Sequence, residues 1–312
     1  MDNISVKEEL TTMEIIQFEL GDKLEQVNDL ILCLGFFDGV HLGHQKLIKR
    51  AKKDGYKLGV FTFNQSPAYV LGNKTSDNCI TSIADKADLF EELGVDYLYL
   101  MDFNKEVANA TKDEFIDQVL KQINPYQICC GPDYHFGVRA QGDVDYLKLF
   151  FNVKVNDFEN MGGNKISSRQ IISLIKEGKM EEVASMLGRP YRINGTVMVG
   201  FKKGRDLDFP TANLSLEYEY IYPLNGVYVG YAYVFDKKYK AIINVGTHPT
   251  INPLNEPIIE VHLLDFDENI YGKNIFVEFI QFIRDERKFE SLAALKIQLG
   301  KDKSTARKIL GE

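Results

Sequence analysis

In the first half of the chain, short, mainly apolar runs alternate with stretches of helical periodicity. The runs are ILCLGFF (31–37), KLGVFTF (57–63), DYLYLMD (96–102), QICCG (127–131) and FNVKVNDF (151–158). A strand with one wet face alternates polar and apolar residues. One that is apolar throughout is covered on both faces, as in a parallel sheet between helices. Between the runs, Thr111–Ile123 reads as a helix. Thr111 and Glu114 form a capping box, and Phe115, Ile116, Val119, Leu120 and Ile123 line one face. Ile83–Leu93 reads as another, stopped by Gly94. The first half is therefore expected to be an α/β domain whose ligands bind at the C-terminal ends of its strands.

The second half is strand-rich: RINGTVMV (192–199), GVYVGYAYVF (226–235), YKAIINV (239–245), IIEVHLLDF (258–266) and NIFVEFIQFI (274–283). Asn225-Gly226 and Tyr271-Gly272-Lys273 supply turns. Many strands at short spacing predict a closed antiparallel β-barrel, and a helix from Ser291 to Leu310 ends the chain. Ser167–Leu187 reads as two helices broken at Gly178. Gly188 and Pro190 follow and set the predicted boundary: one domain over 13–187, a second over 188–312. Residues 1–12 read as a loose polar tail, with Met13 a second possible start.

The net charge of −8 disfavours broad binding to nucleic acid or to an anionic membrane. No apolar run approaches the roughly 20 residues of a membrane helix. The first residues, MDNISVKEELTTMEIIQF, have neither the basic nor the apolar region of a secretory signal. Cys33, Cys79, Cys129 and Cys130 lack CxxC spacing and read as reduced, mostly buried thiols of a cytoplasmic protein.

Two constellations carry chemistry. In Gly35-Phe-Phe-Asp-Gly-Val-His-Leu-Gly-His44, a strand ends at Gly35 and a helix begins near Gly43. His41 and His44 thus sit at a helix N-terminus, where free N–H groups and the dipole favour an anion such as a triphosphate. The bland alternative is a glycine-rich turn with two incidental histidines. Gly131-Pro-Asp-Tyr-His-Phe-Gly137 follows another strand, with Asp133 a possible acceptor and Phe136 a platform for a planar ligand; alone it reads as a simple turn. Ser167 and Ser168 can cap a helix, and Arg169 can neutralise a phosphate.

The second constellation is Gly204-Arg-Asp-Leu-Asp-Phe-Pro-Thr-Ala-Asn213 with Glu260. Gly200–Arg205 is basic and glycine-flanked, suited to covering a phosphate. Thr211 and Asn213 offer oxygen ligands of the kind Mg²⁺ takes beside phosphates. Glu260 and His262 share one face of an otherwise apolar strand. A carboxylate there is costly without a partner or a task, though a rim-exposed glutamate is the common case.

Taken together, GFFDGVHLGHQ, GPDYHFG, LGRPYRINGTV, FPTANL, NVGTHPT, EVHLLDF and RDERKF, in this order, resemble the bacterial bifunctional riboflavin kinase/FAD synthetase family from about Met13 to Leu310. The resemblance implies a Rossmann-like nucleotidyltransferase domain of HxGH type and a flavokinase barrel. It implies that ATP phosphorylates riboflavin to FMN and that a second ATP adenylylates FMN to FAD. It makes Glu260 the kinase base, and Thr211 and Asn213 the Mg²⁺ ligands. ATP contacts fall on Gly35, Phe37, Asp38, Gly43, Ser168 and Arg169, and in the kinase loop on Gly204 and Arg205. Flavin contacts fall on Phe63, Pro67, Asp133 and Phe136. Riboflavin, FMN and ATP are the implied partners of a monomer or weak oligomer that binds no nucleic acid and no membrane.

Three positions depart from the family's pattern. Gln65-Ser66-Pro67 stands for Pro-His-Pro, Ser168-Arg169 followed by Ile171-Ile172 lacks the usual second arginine, and Asp208 replaces a glycine. They leave open a kinase with weakened or lost adenylyl transfer, or a non-catalytic flavin-binding regulator. The retained Glu260, Thr211, Asn213, His41 and His44 speak against the regulator.

Overall fold

The structure, a computed structural model, describes residues 12–157, 159–161, 164–198, 211–235, 237–247 and 257–311. The chain divides into two compact units. One comprises Met1–Asp77 and Ile83–Lys165, the other Asn78–Ser82 and Ile166–Glu312.

The first unit holds six strands: β1 (Glu14–Phe18), β2 (Leu30–Leu34), β3 (Lys57–Phe63), β4 (Tyr97–Met101), β5 (Gln127–Cys130) and β6 (Val153–Val155). They form one sheet in the order β1-β4-β3-β2-β5-β6, parallel at every pairing. Alternation along β2 divides the core. Leu30, Leu32 and Leu34 face Phe61, Tyr99, Phe115 and Ile116 on one side. Ile31 and Cys33 face Leu47, Ile48, Leu89 and Phe90 on the other. Those last four come from the helices Leu42–Ala51 and Ile83–Glu92. Covering on both faces is why the strands read as continuous apolar runs.

Strand β1 was not among the expected strands. Its Glu14 and Ile15 are exposed and only Phe18 is buried, so EIIQF lacks the apolar signature of the inner strands. The helix expected over 111–123 keeps its capping box at Thr111 and Glu114, but Ile116–Leu120 forms a π turn inside it. All four cysteines are free thiols, three of them buried, and Cys33 lies in register with Cys129. A short hairpin, β7 (Asn160–Met161) and β8 (Asn164–Lys165), ends this unit.

The second unit is a closed barrel of β9 (Tyr191–Met198), β10 (Ala212–Ser215), β11 (Gly226–Val234), β12 (Lys237–Gly246), β13 (Ile258–Leu263) and β14 (Asn274–Arg284). Their order around it is β10-β13-β12-β11-β14-β9, antiparallel throughout. The helix Met180–Leu187 packs on β9 and β14, and Leu292–Leu310 packs on β11 and β12. The latter is pinned by a buried ion pair. Arg284 Nε reaches both Asp302 oxygens at 3.1 Å, and Nη2 reaches Oδ2 at 2.7 Å. The segment Asn78–Ser82 belongs here too: the Cys79 N–H donates to the Glu219 carbonyl at 2.8 Å, and Ile221 N–H donates to the Cys79 carbonyl at 2.9 Å.

Candidate functional site

From β2 the chain proceeds through β3 and β4 to one side, then places β5 and β6 on the other. Direction reverses between β2 and β5, and open α/β sheets hold ligands at such a reversal, beyond the carboxyl ends of the strands. The loop after β2, 35–41, and the loop after β5, 131–137, both leave the sheet at this point.

The first loop is a tight left-handed turn. The Gly35 N–H donates to the Phe61 carbonyl at 3.3 Å. Phe37 then takes φ 53°, Gly39 82° and Val40 39°. The Phe37 ring folds beneath Gly35, where a Cβ would meet it at 2.9 Å, so a side chain at 35 is excluded. Phe37 is 2% exposed and meets His44 edge-on, ring centroids 5.1 Å apart. Asp38 is buried in the same turn. The Phe36 carbonyl accepts from Thr62 Oγ1 at 2.9 Å and from Lys86 Nζ at 3.0 Å.

His41 caps the helix Leu42–Ala51: its Nδ1 accepts from the His44 N–H at 3.4 Å. That bond leaves the ring proton on Nε2, which makes Nε2 the donor. The two imidazoles stack, and Gly43 permits it, since a Cβ there would meet the His41 ring at 3.2 Å. His44 Nδ1 is sealed from solvent with no hydrogen-bond partner among the described residues. Burial holds the His44 imidazole well below the usual histidine range, and His41, Lys86 and Lys165 push the same way. At neutral pH His44 is therefore a hydrogen-bonding group, not a cation. Beside it, Lys46 ion-pairs with Glu159.

Phe63 packs against Phe103 at 4.7 Å and Phe61 at 5.2 Å, and the cluster continues through Phe115 to Phe136. One aromatic cluster thus joins Phe63 and Phe136, with Phe136 only 6% exposed. Asp133 is exposed and pairs with Lys165 at 2.7 Å. Pro67 opens the short helix Pro67–Val70 behind Ser66, which is buried and donates its N–H to Asp77 Oδ1 at 2.8 Å. Ser168 and Arg169 begin the helix Ser168–Lys176 in the second unit, where Ser167 is the cap. Arg169 is exposed.

On the barrel, register builds a second polar row. Asn213 on β10 lies opposite Glu260 on β13, which lies opposite Asn244 on β12. Asn244 Nδ2 donates to Glu260 Oε2 at 3.4 Å. Thr211 stands immediately before β10. Asn244 and Ile242 pair with Val227 and Val229, and those valines with Ile242 pack under Ala306 of the last helix. The row therefore lies on the outer wall of the barrel, beside that helix. His262 is buried two residues along the same face. Asn244 was missed in the sequence, although an amide inside AIINV is the same signal that singled out Glu260. Gly204, Arg205 and Asp208 lie outside the described residues.

The FAD synthetase family model matches residues 23–170, and the riboflavin kinase model matches 187–310. A Bacillus subtilis protein named bifunctional riboflavin kinase/FMN adenylyltransferase is 37% identical over 294 residues, covering 88% of this chain and 91% of its own. Its namesake from Escherichia coli is 32% identical over 292 residues, covering 90% and 93%. A crystal structure of a Streptococcus pneumoniae protein named macrolide-efflux protein matches with a TM-score of 0.86 and 33% identity. It covers 95% of this chain and 99% of that one. Among the described residues, no helix is long and apolar enough to cross a membrane.

Proposed function

The chain belongs to the bifunctional riboflavin kinase/FMN adenylyltransferase family, and from that premise we propose how its two polar sites divide the work. The protein phosphorylates riboflavin to FMN with one ATP and adenylylates FMN to FAD with another. The observation that carries both activities is the presence of both family matches, 23–170 and 187–310, on one chain. We assign adenylyl transfer to residues 13–187 and the kinase to 188–312.

In the kinase step, Glu260 takes the proton of the riboflavin 5′-hydroxyl as that oxygen attacks the γ-phosphorus of ATP, and ADP leaves. Asn244 orients the carboxylate from one side, and Asn213 stands on the other. Hydroxyl, amide and carboxylate oxygens on neighbouring positions fit a hard cation. Thr211 and Asn213 would hold Mg²⁺, which when bound neutralises charge on the ATP phosphates. Positioning supplies most of the rate in such transfers.

In the second step, the FMN phosphate attacks the α-phosphorus of ATP, and pyrophosphate leaves. The substrate brings its own nucleophile, so no side chain need be one. His41 and the free N–H groups at the helix start stabilise the growing negative charge. His41 donates through Nε2, and His44 is a second, neutral partner. Phe63 and Pro67 lie towards the flavin, with Asp133 and Phe136 on the neighbouring loop; Gly35, Phe37, Asp38, Gly43, Ser168 and Arg169 serve ATP. The same reading makes this a cytoplasmic monomer or weak oligomer without nucleic-acid or membrane partners.

Incubation with riboflavin, ATP and Mg²⁺, followed by separation of the flavins, tests the reading. FMN and FAD together are expected. FMN alone would match the departures at Ser66 and Ile172 and remove the second step. No product at all would leave the flavin-binding regulator.

A further inference from the structure

Lys86 is 1% exposed, on the buried face of its helix with Leu89 and Phe90. A buried ammonium is costly unless it is compensated. Its Nζ donates to the Phe36 carbonyl at 3.0 Å and lies 4.0 Å from the centre of the Phe36 ring, the distance of a cation–π contact. That carbonyl also accepts from Thr62 Oγ1, itself buried, at 2.9 Å. The hydroxyl alone would satisfy it, so the ammonium is not there to rescue an orphaned acceptor. The buried carboxylates of this turn and this helix are Asp38 and Asp85.

Phe36 is the last residue before the left-handed turn at Phe37. A non-glycine residue holds such a backbone only where its surroundings over-determine it. Here the clamp consists of the Phe36 carbonyl held from two elements, β3 and the helix Ile83–Glu92, and the Phe37 ring wedged under Gly35. His41 and His44 follow within a few residues.

We infer that Lys86 is a positioning residue for FMN adenylylation: its buried ammonium clamps the Phe36 carbonyl and so fixes the turn that presents His41 and His44 to the ATP phosphates. This rests on the reading of that turn as the ATP site. In this role Lys86 acts through the backbone of Phe36. Its charge also reaches His44 and opposes protonation there, together with His41 and Lys165, which keeps the stacked pair from carrying two charges.

Lys86→Met keeps the length and apolar stem and removes the charge. In the full chain it is expected to lower kcat for FAD formation from FMN by about tenfold or more, towards the roughly 10²-fold that a misplacement of about 1 Å costs. KM for ATP should stay within about a factor of three, since the loss is in the transition state rather than in ground-state binding. Riboflavin phosphorylation should be unchanged. Lys86→Arg should restore part of kcat, which a simple packing role would not predict for a bulkier side chain. Wild-type kcat in folded Lys86→Met overturns the inference. If Lys86→Met does not fold, Thr62→Val decides: it halves the clamp and should also lower kcat, and an unchanged kcat there overturns it equally. The His41→Asn/His44→Asn double variant is run in parallel. If it keeps FAD synthesis, the ATP-site reading fails; if it loses FAD synthesis while Lys86→Met does not, only the role of Lys86 fails.

Discussion

The imidazole rings of His41 and His44 lie face to face, centroids 3.6 Å apart and 17° from parallel. Two imidazolium ions could not share that geometry, so the pair presents hydrogen-bond donors and not a double positive charge. The positive character of the site comes from the N-terminus of the helix Leu42–Ala51.

Replacing both histidines by asparagine should therefore lower FAD formation by about 10²–10³, the usual cost of losing a preorganised donor. Riboflavin phosphorylation should be unaffected. Asparagine is a good helix cap, so His41→Asn should not unfold the helix. Flavin separation after incubation with FMN and ATP reads the result, with circular dichroism as the fold check. Unchanged FAD formation would make the HxGH segment a structural turn.

The depressed basicity of His44 gives stability a sign. An unfolded histidine takes up its proton near pH 6.5, whereas the folded one resists until well below that. Between those values the unfolded state binds more protons, so stability rises with pH there. The contribution is complete above about pH 6.5 and is lost progressively as pH falls below it. Calorimetry of the full chain at pH 7.5 and pH 5.5 should show a lower Tm at the acid pH for the transition of the first unit. His44→Gln should shrink that difference. A pH dependence identical to wild type would show that His44 protonates freely in the fold.

Glu260→Gln keeps the shape and the contact to Asn244 and removes the base. Riboflavin phosphorylation should fall by about 10²-fold or more, within the usual span for general-base catalysis. FAD formation from supplied FMN should remain. Near-normal kinase turnover would show that Glu260 is a structural member of the row Asn213–Glu260–Asn244.

Asp302→Ala strands Arg284 beside the last helix. Removing one partner of a buried pair costs about 3–5 kcal/mol, and partial exposure of Arg284 sets the expectation at about 3 kcal/mol. Thermal unfolding should show the loss, and hydrogen exchange should quicken in the helix Leu292–Leu310. Arg284→Met with Asp302→Leu should recover much of it. A single variant as stable as wild type would mean that Ala306, Val227 and Ile242 hold the helix alone.

Two fragments probe the division of labour. A chain of residues 166–312 keeps Met180, Val183 and Leu187, which are buried on the helix packed against β9 and β14. A chain of 188–312 loses them and exposes the apolar surface they cover. Both should convert riboflavin to FMN if the kinase lies within 188–312, and the longer should have the higher Tm. An inactive short fragment beside an active long one would move the boundary of the working kinase upstream of Gly188.

The parallel sheet and the barrel were legible because their inner strands are apolar in two different ways, continuous in the first half and turn-punctuated in the second. The Gly35–His44 turn was legible because glycine and histidine interrupt an apolar strand. Strand β1 escaped because an edge strand with exposed Glu14 and Ile15 carries no such run. Lys86 escaped for a physical reason of the opposite kind: a lysine on a helix reads as a solvated side chain, and only the fold reveals that it is buried against Phe36, whose carbonyl it shares with Thr62. Asn244 acquires its meaning from the register that sets it beside Glu260. Ser66 is buried, and its N–H donates to Asp77 Oδ1, a contact across eleven positions that the sequence alone does not show.

The strip Asn78–Ser82 bonds to residues around Tyr220, and the Cys79–Glu219 contact spans 140 positions of sequence. At a ribosomal pace of about 5–20 residues per second, Cys79 leaves the exit tunnel roughly 7–28 s before its partner does. Strands β4, β5 and β6 of the sheet emerge within that interval, so these five residues wait unpaired until β9 and β10 of the barrel have been made. A pause or a rare-codon stretch placed between residues 82 and 219 would lengthen that exposure, and a chaperone that shields extended apolar segments would have its natural window there.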